Sequence, residues 1–128
     1  MQDADSKPRS TYYKAFVRDK YCCVYCGRNI LESFDSFASS HLDHLKPESA
    51  RGPCDDVLNR VTACGVCNSL KGAFDPLPGE LVTEENFSSA IAKAKDYIQK
   101  KRNGDTDSSY YRDYQYWLKE SANNINRN

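Results

Sequence analysis

The fold is decided by two short stretches that carry paired cysteines, Cys23-Val24-Tyr25-Cys26-Gly27 and Cys64-Gly65-Val66-Cys67-Asn68. Both pairs have the spacing C-x2-C, and the glycine in each stretch helps backbone amide groups turn toward a bound thiolate. This spacing is typical of the two halves of a tetrahedral zinc site with four thiolate ligands. We therefore expect one structural Zn²⁺, bound by the four cysteines of these pairs, Cys23, Cys26, Cys64 and Cys67.

Two disulfides in a secreted domain are the alternative to a zinc site. A secreted domain requires an export signal, but residues 1–10 are polar and charged and contain no apolar segment. No stretch of the sequence approaches the length of a membrane span. We therefore expect a reducing, cytoplasmic compartment and no membrane partner, and we favour zinc over disulfides.

Two further cysteines leave one ambiguity. Cys22 lies beside Cys23, so Cys22 and Cys26 form an alternative pair with three residues between them. We prefer Cys23 because its spacing matches that of the second pair. Cys54 has no partner at ligand spacing, and we expect it to be a small apolar loop residue.

The composition bounds the size, the charge and the core of the molecule. The chain has 128 residues, which corresponds to about one domain. Lys and Arg together number 18, as do Asp and Glu, so the formal net charge is zero. The overall charge therefore gives no sign of a polyanionic partner. Leu, Ile, Val and Phe make up fewer than a fifth of the residues, so the aliphatic core is thin. A metal site and buried aromatic residues are the means of stabilising such a core.

Between the cysteine pairs the sequence predicts two short strands on either side of a loop. Residues 40–45 and residues 60–63 are the candidate strands, and the second is rich in β-branched side chains. Residues 48–56 have the Gly, Pro and Asp content of a loop. A short helix is predicted over residues 68–74, whereas residues 29–40 show no clear period and receive no assignment.

Helices are predicted on both sides of this region. A short helix begins at Ser10 or Thr11 and leads into the first cysteine pair. A longer helix follows Thr83 as its N-cap, and apolar residues recur at helical spacing over 87–98. Residues 110–118 predict a final aromatic helix, whose side chains we expect to be core rather than a platform for base stacking, because the core is otherwise thin.

The motifs between the cysteine pairs follow an order that resembles a known family. The first pair is followed by His41-Leu42-Asp43-His44-Leu45-Lys46-Pro47, then by a glycine-containing loop and Asn59, and the second pair is followed by Asn68 and Lys71. This order, over about residues 18–74, is similar to the zinc-stapled branch of the HNH endonucleases. The resemblance implies a ββα-metal active site and a metal-dependent enzyme that hydrolyses phosphodiester bonds in DNA.

The resemblance also implies a role for individual residues. His44 falls at the position of the general base that activates water, and Asp43 falls at that of a ligand to the catalytic divalent ion. Asn59 matches the asparagine that holds the loop and orients the catalytic histidine. Asn68 falls at the position of the second protein ligand, which is often histidine, so the chain is an H-N-N variant.

The chemistry of these residue types agrees with the implied roles. Phosphodiester hydrolysis needs a base, which a neutral histidine supplies near pH 7, and a cation that stabilises developing negative charge. Carboxylate and amide oxygens suit Mg²⁺ or Mn²⁺, so we expect one of these ions in addition to structural Zn²⁺. Lys71 shares a helical face with Asn68 at a helix start that favours phosphate, and we assign it a phosphate contact.

The geometry of the first strand sets a condition on the site. In a regular strand Asp43 and His44 point to opposite faces, so both can line one site only where the strand breaks. The remaining basic residues of the region are expected at the surface: His41, Lys46, Arg51 and Arg60.

These signals together predict an α+β protein with a small zinc-stabilised ββα-metal core and flanking helices. We divide the chain into a flexible tail at 1–10, a nuclease core at 11–78 and a helical extension at 79–128 that packs on the core. The main alternative function is a zinc module that binds nucleic acid or protein without cutting. Such a module has no use for the set formed by Asp43, His44 and Asn68.

Overall fold

The computed structural model describes residues 10–105 and 109–126 and shows an α+β molecule with a two-stranded antiparallel sheet. Its elements are α1 (Ser10–Arg18), α2 (Phe34–Ser39), β1 (His41–His44), β2 (Arg60–Ala63), α3 (Gly65–Lys71), α4 (Phe87–Arg102) and α5 (Ser109–Asn126). The predicted fold class is confirmed. The predicted flexible tail at 1–10 lies outside the described residues except for residue 10, where α1 begins.

The two strands lie where the sequence predicted them. They pair with His41 opposite Ala63 and His44 opposite Arg60. Between them the chain forms single 3-10 turns at Glu48–Ala50 and Val57–Asn59. β2 is buried along most of its length, so its β-branched content reflects packing against the core.

Helix α3 follows β2 directly and starts three residues before the predicted helix. Cys64 is its N-cap, because the Cys64 sulfur accepts a hydrogen bond from the backbone N–H of Cys67. The helix ends at Lys71, where Gly72 takes a positive φ of 53°. One cysteine therefore both begins the helix and belongs to the metal-ligand set predicted from the sequence.

The core surrounds the cysteines and includes one face of α4. Its buried members are Cys23, Tyr25, Leu45, Val61, Ala63, Cys64, Cys67, Leu70, Leu77, Val82, Ala90, Ala94 and Ile98. Phe74, which follows α3, stacks on Tyr97 of α4 with ring centroids 4.2 Å apart. Helix α4 thus covers the region that holds the cysteine pairs, and the division of the chain at residue 78 stays a prediction.

The end of α1 is tied to the second strand by side chains that carried no sequence signal. The Arg18 guanidinium donates to the carbonyl oxygens of Val57, at 2.8 Å, and of Arg60. Asp19 accepts the backbone N–H of Thr62 at 2.8 Å. These bonds fix where β2 begins and therefore where the loop before it ends.

Four of the five aromatic residues of α5 are exposed and Tyr111 is half-buried, so the prediction that this set forms core is wrong. The exposed fraction is 68% for Tyr110 and 65% for Trp117. Phe34 and Phe37, in the segment without an assignment, are also exposed. Besides the core residues named above, the interior contains the polar residues Lys46, Asn59, Thr62 and Lys71. Among the described helices, none has the length and apolar content needed to cross a membrane.

Candidate active site and zinc centre

The four cysteines of the two pairs form one cluster. The sulfur atoms of Cys23, Cys26, Cys64 and Cys67 all lie within 4.8 Å of one another. The sulfurs of Cys26 and Cys64 are 3.7 Å apart, and two thiolates bound to one zinc at about 2.3 Å lie about 3.8 Å apart. Cys22 is outside the cluster, so Cys23 is the one of the two neighbouring cysteines that is positioned to form the zinc site.

The surroundings of the cluster fit a cation. Gly27 has a φ of +83° and donates its N–H to the carbonyl of Cys23 at 2.8 Å, which closes the first turn around the sulfurs. A hydrogen bond with the Cys67 thiol lowers the pKa of Cys23 to about 4, while the same bond and burial raise the pKa of Cys67. Thiols this close cannot all ionise without a positive charge between them. The cysteine cluster therefore fits structural zinc.

Asp43 and His44 line one groove at the end of β1. The groove has a volume of about 310 Å³ and is also lined by Pro47, Glu48 and Gly72. His44 is the last residue of β1, and the chain leaves the sheet directly after it. The break in the strand thus brings two consecutive side chains to one site, as the sequence argument required.

Asp43 is held by two buried groups. Its Oδ2 accepts a hydrogen bond from the Tyr25 hydroxyl at 2.6 Å and lies 3.1 Å from Lys71 Nζ. The side chain of Asp43 is 10% exposed and that of Lys71 is fully buried. Burial, together with the charge of Asp43, raises the pKa of Tyr25, which therefore stays a hydrogen-bond donor. Both contacts use Oδ2, which leaves Oδ1 for a further ligand.

His44 is held as a neutral imidazole. Arg60 Nη1 donates to His44 Nε2 at 2.6 Å, and Glu48 Oε1 lies 3.5 Å from the same nitrogen. Because arginine donates only, Nε2 is the acceptor and the ring proton is on Nδ1. Burial and the positive charge of Arg60 lower the pKa of His44, against the opposing effect of Glu48.

Asn59 fastens the loop to the end of β1. Its Nδ2 donates to the carbonyls of Lys46 and Pro53, both at 3.0 Å, and its Oδ1 accepts the N–H of Lys46 at 2.8 Å. The side chain is fully buried. These three bonds fix the backbone two residues after His44, which is the geometry that the family resemblance implied for this asparagine. Its role in catalysis stays a prediction.

The structure places Asn68 and Lys71 differently from each other. Asn68 is half-buried on α3, and its side chain makes no hydrogen bond within the described part of the chain. Lys71 instead points inward, where Nζ donates to the carbonyl of His44 at 3.0 Å as well as pairing with Asp43. Its contact with a phosphate stays a prediction, and that contact has to be shared with the Asp43 carboxylate.

Three residues of the site were missed by the sequence argument or placed wrongly by it. Tyr25 was noted only as a spacer between two cysteines. Arg60 was expected at the surface, but its Nε is buried and its Nη1 bonds His44. Lys46 was also expected at the surface, but it is 4% exposed and its Nζ donates to Asp75 at 2.9 Å. Antiparallel pairing of β1 and β2 is the signal that connects Arg60 to His44, once the register is known.

Comparison with known proteins gives one finding. Residues 23–74 match the family model of the HNH endonucleases. The HNH segment therefore contains both cysteine pairs, both strands, the loop between them and α3, and the resemblance stated from the motifs is confirmed. Neither the comparison with curated proteins nor that with solved structures found a match.

Proposed function

We propose that the HNH segment is a metal-dependent endonuclease that hydrolyses phosphodiester bonds in DNA. The observation that carries this proposal is the placement of a neutral histidine and a half-satisfied carboxylate in one groove of a segment that matches the HNH endonucleases. An acid–base group beside a hard metal ligand is the pair that phosphodiester hydrolysis requires.

Asp43 and Asn68 are the proposed ligands of the catalytic ion, Mg²⁺ or Mn²⁺. Asp43 offers Oδ1 and Asn68 offers an amide oxygen with no partner within the described residues, and both are oxygen ligands suited to these ions. When bound, the ion stabilises the negative charge that develops on the phosphate and the leaving oxygen. The cysteine cluster has no part in this step and holds α3 against the sheet.

His44 is the proposed general base, because its lowered pKa keeps the imidazole unprotonated near neutral pH. A neutral imidazole has one lone pair, which Arg60 uses here. Removal of a proton from water at Nε2 therefore requires the Arg60 guanidinium to turn away, and a substrate phosphate is a suitable new partner for it. Asn59 keeps the backbone beyond His44 in place during this change.

We keep the expectation that the protein acts in a reducing, cytoplasmic compartment.

The test is cleavage of supercoiled plasmid by the purified, zinc-loaded protein with and without Mg²⁺ or Mn²⁺. Removal of a general base typically lowers the rate by about 10²–10⁴. We expect His44→Ala to lose activity by this amount and Asp43→Ala to be inactive, with structural zinc retained in both variants. Asn68→Ala should be affected less severely, because it removes a neutral ligand.

His41→Ala and Asp55→Ala are the matched controls, since both side chains are exposed and lie outside the groove. They should cut at nearly the normal rate. A folded, zinc-loaded protein that retards DNA but cuts with neither metal would favour the non-catalytic zinc module. Equal loss in His41→Ala and His44→Ala would contradict the assignment of the base.

A further inference from the structure

Two residues that line the groove, His44 and Glu48, lie close to Cys54 of the loop between the strands. The ligand atoms of His44, Glu48 and Cys54 all lie within 4.8 Å of one another. Cys54 Sγ is 2.9 Å from Glu48 Oε1, which is 3.5 Å from His44 Nε2. We propose that these three residues form a second zinc site, which inhibits cleavage when it is filled.

The donor set selects the metal. One imidazole nitrogen, one carboxylate oxygen and one sulfur suit Zn²⁺, whereas Mg²⁺ takes oxygen ligands and leaves thiolates aside. Zinc bound at about 2.0–2.3 Å separates such ligands by about 3.3–3.7 Å at tetrahedral angles. The two distances among the three side chains are close to this range, so small side-chain rotations complete the site. A water molecule is the natural fourth ligand.

The site is open to solvent, in contrast to the four-cysteine cluster. Glu48 is 62% exposed at its side chain, and Cys54 is exposed. The Cys54 thiol keeps its proton and donates a hydrogen bond through it to Glu48 Oε1 in this structure. A zinc ion between the two groups replaces that proton, which passes to solvent, so one proton is released for each ion bound.

Arg60 competes with the ion for His44. Its Nη1 lies 2.6 Å from His44 Nε2 and 3.4 Å from the carbonyl of Cys54, so the guanidinium borders the same space. A bound cation displaces the guanidinium because both need the single lone pair of Nε2 and both are positive. The second zinc is therefore expected to bind more weakly than the structural zinc and to be reversible.

Inhibition follows from the shared histidine and rests on the proposed function. A zinc ion on Nε2 removes the lone pair that takes the proton from water, while Asp43 and its Mg²⁺ are left in place. Excess Mg²⁺ therefore should not relieve the inhibition. The metal site itself does not depend on cleavage, so it can be tested separately.

The first measurement is calorimetric titration of Zn²⁺ into protein that already holds one equivalent of zinc. We expect a second equivalent to bind the unaltered protein and the Asn68→Ala variant, which removes a proposed Mg²⁺ ligand that makes no side-chain hydrogen bond within the described residues. Cys54→Ser should weaken this step by at least about tenfold, the lower end of the loss seen when even an outer partner of a metal ligand is removed. Cys22→Ser is the control and should bind as the unaltered protein does, whereas Arg60→Gln should bind more tightly.

The second measurement is plasmid cleavage at saturating Mg²⁺ with increasing Zn²⁺. Cys54→Ser should keep the normal rate without added zinc and need at least about tenfold more zinc for half inhibition. Equal second-site affinity in Cys54→Ser and the unaltered protein would overturn the site, as would looser binding by Arg60→Gln. Undiminished cleavage with the second zinc bound would overturn the inhibition. If the protein does not cut DNA at all, the proposed function fails, and the titration still decides the zinc site.

Discussion

At the scale of single residues, Arg60 is one of the groups that lower the pKa of His44. The two side chains meet because His44 and Arg60 are opposite each other in the register of the sheet, and Nη1 and Nε2 are 2.6 Å apart. Burial disfavours the imidazolium form, and the positive charge of Arg60 acts in the same direction. The imidazole of His44 therefore stays neutral, and able to accept a proton, down to a lower pH than an unperturbed histidine does.

This arrangement predicts the pH dependence of cleavage. The neutral form is the active one, so the rate should fall as pH decreases through the pKa of His44, which lies below the usual value of about 6.5. Arg60→Gln removes one of the causes that lower this pKa, while burial and the charge of Lys71 remain, and the acidic limb of the rate profile should move to higher pH. The measurement is the single-turnover rate between pH 5 and pH 8, at saturating Mg²⁺. An acidic limb at the same or a lower pH in the variant would contradict the assignment.

Lys71 offers a second test at this scale, because its ammonium group is buried. Lys71→Met leaves the Asp43 carboxylate without its cation in a site that is 10% exposed. Breaking a buried pair from one side typically lowers the free energy of unfolding by about 3–5 kcal/mol. The change should appear in denaturant unfolding of the zinc-loaded protein.

Lys100→Met is the control for that variant. It removes a lysine from an exposed pair with Asp96 on α4, and such pairs contribute about 0.3–0.5 kcal/mol. Similar stability in the two variants would mean that Lys71 is not held by Asp43 in solution. Its position would then be that of the phosphate contact expected from the sequence.

The sequence predicted the residues whose chemistry is tied to spacing. The C-x2-C spacing of four cysteines predicted the cluster that they form. The order of the motifs predicted that Asp43 and His44 line one site. Tyr25, Arg60 and the inward direction of Lys71 escaped prediction because each depends on a contact across the fold. Such contacts are fixed by strand register and helix rotation, which no local pattern in one sequence encodes.

At the scale of elements, the loop between the strands packs closely against the backbone that follows β1, where Gly52 lies beside the carbonyl of Lys46. Gly52 is buried, and a Cβ added there would overlap the carbonyl oxygen of Lys46 and approach Asn59 Nδ2. The same carbonyl accepts a hydrogen bond from Asn59. The loop therefore passes too close to Lys46 for any side chain at residue 52.

Gly52→Ala is predicted to disturb this element. Overpacking in a tight site typically lowers the free energy of unfolding by about 1–3 kcal/mol, and the displaced loop should also reduce cleavage. Gly79→Ala is the comparison, because its Cβ meets nothing within 4 Å and only the positive φ of 78° opposes it. Thermal unfolding and plasmid cleavage of both variants check the prediction. Normal cleavage by Gly52→Ala would show that the loop does not position His44.

The boundaries of elements could be predicted only in part. The observed ends of β2 agree with the predicted ones, because the strand is a short run with β-branched residues that lies between Asn59 and Cys64. Helix α3 starts early because Cys64, a member of the four-cysteine cluster, is its N-cap, and α4 starts late at Phe87. Thr83 and Asn86 exchange backbone-to-side-chain hydrogen bonds of 2.7 and 3.2 Å in the turn before α4. Thr83 therefore accepts a backbone hydrogen bond as a capping residue does, but it caps the turn before α4 and not the helix itself.

At the scale of the whole molecule, the thin aliphatic core is completed by cysteines and not by the aromatic helix. The composition predicts that tyrosines and Trp117 add buried area, but most of the aromatic side chains of α5 are exposed. What the composition could not indicate was that polar side chains such as Lys46, Asn59 and Lys71 are fully paired inside. We expect a core of this kind to depend strongly on zinc bound by the four-cysteine cluster.

Zinc removal is therefore predicted to unfold more than the two cysteine pairs. Cys23, Cys64 and Cys67 pack in one cluster with Ala90, Ala94 and Ile98 of α4, so the metal site and α4 should lose structure in one step. In Cys64→Ser, which loses one ligand, amide hydrogen exchange over residues 87–102 should become fast while zinc content falls toward zero. Cys22→Ser should retain both zinc and slow exchange. Slow exchange over 87–102 in the zinc-free variant would show that α4 is stabilised independently of the metal. Zinc would then stabilise only the segments that carry the cysteine pairs and not the rest of the fold.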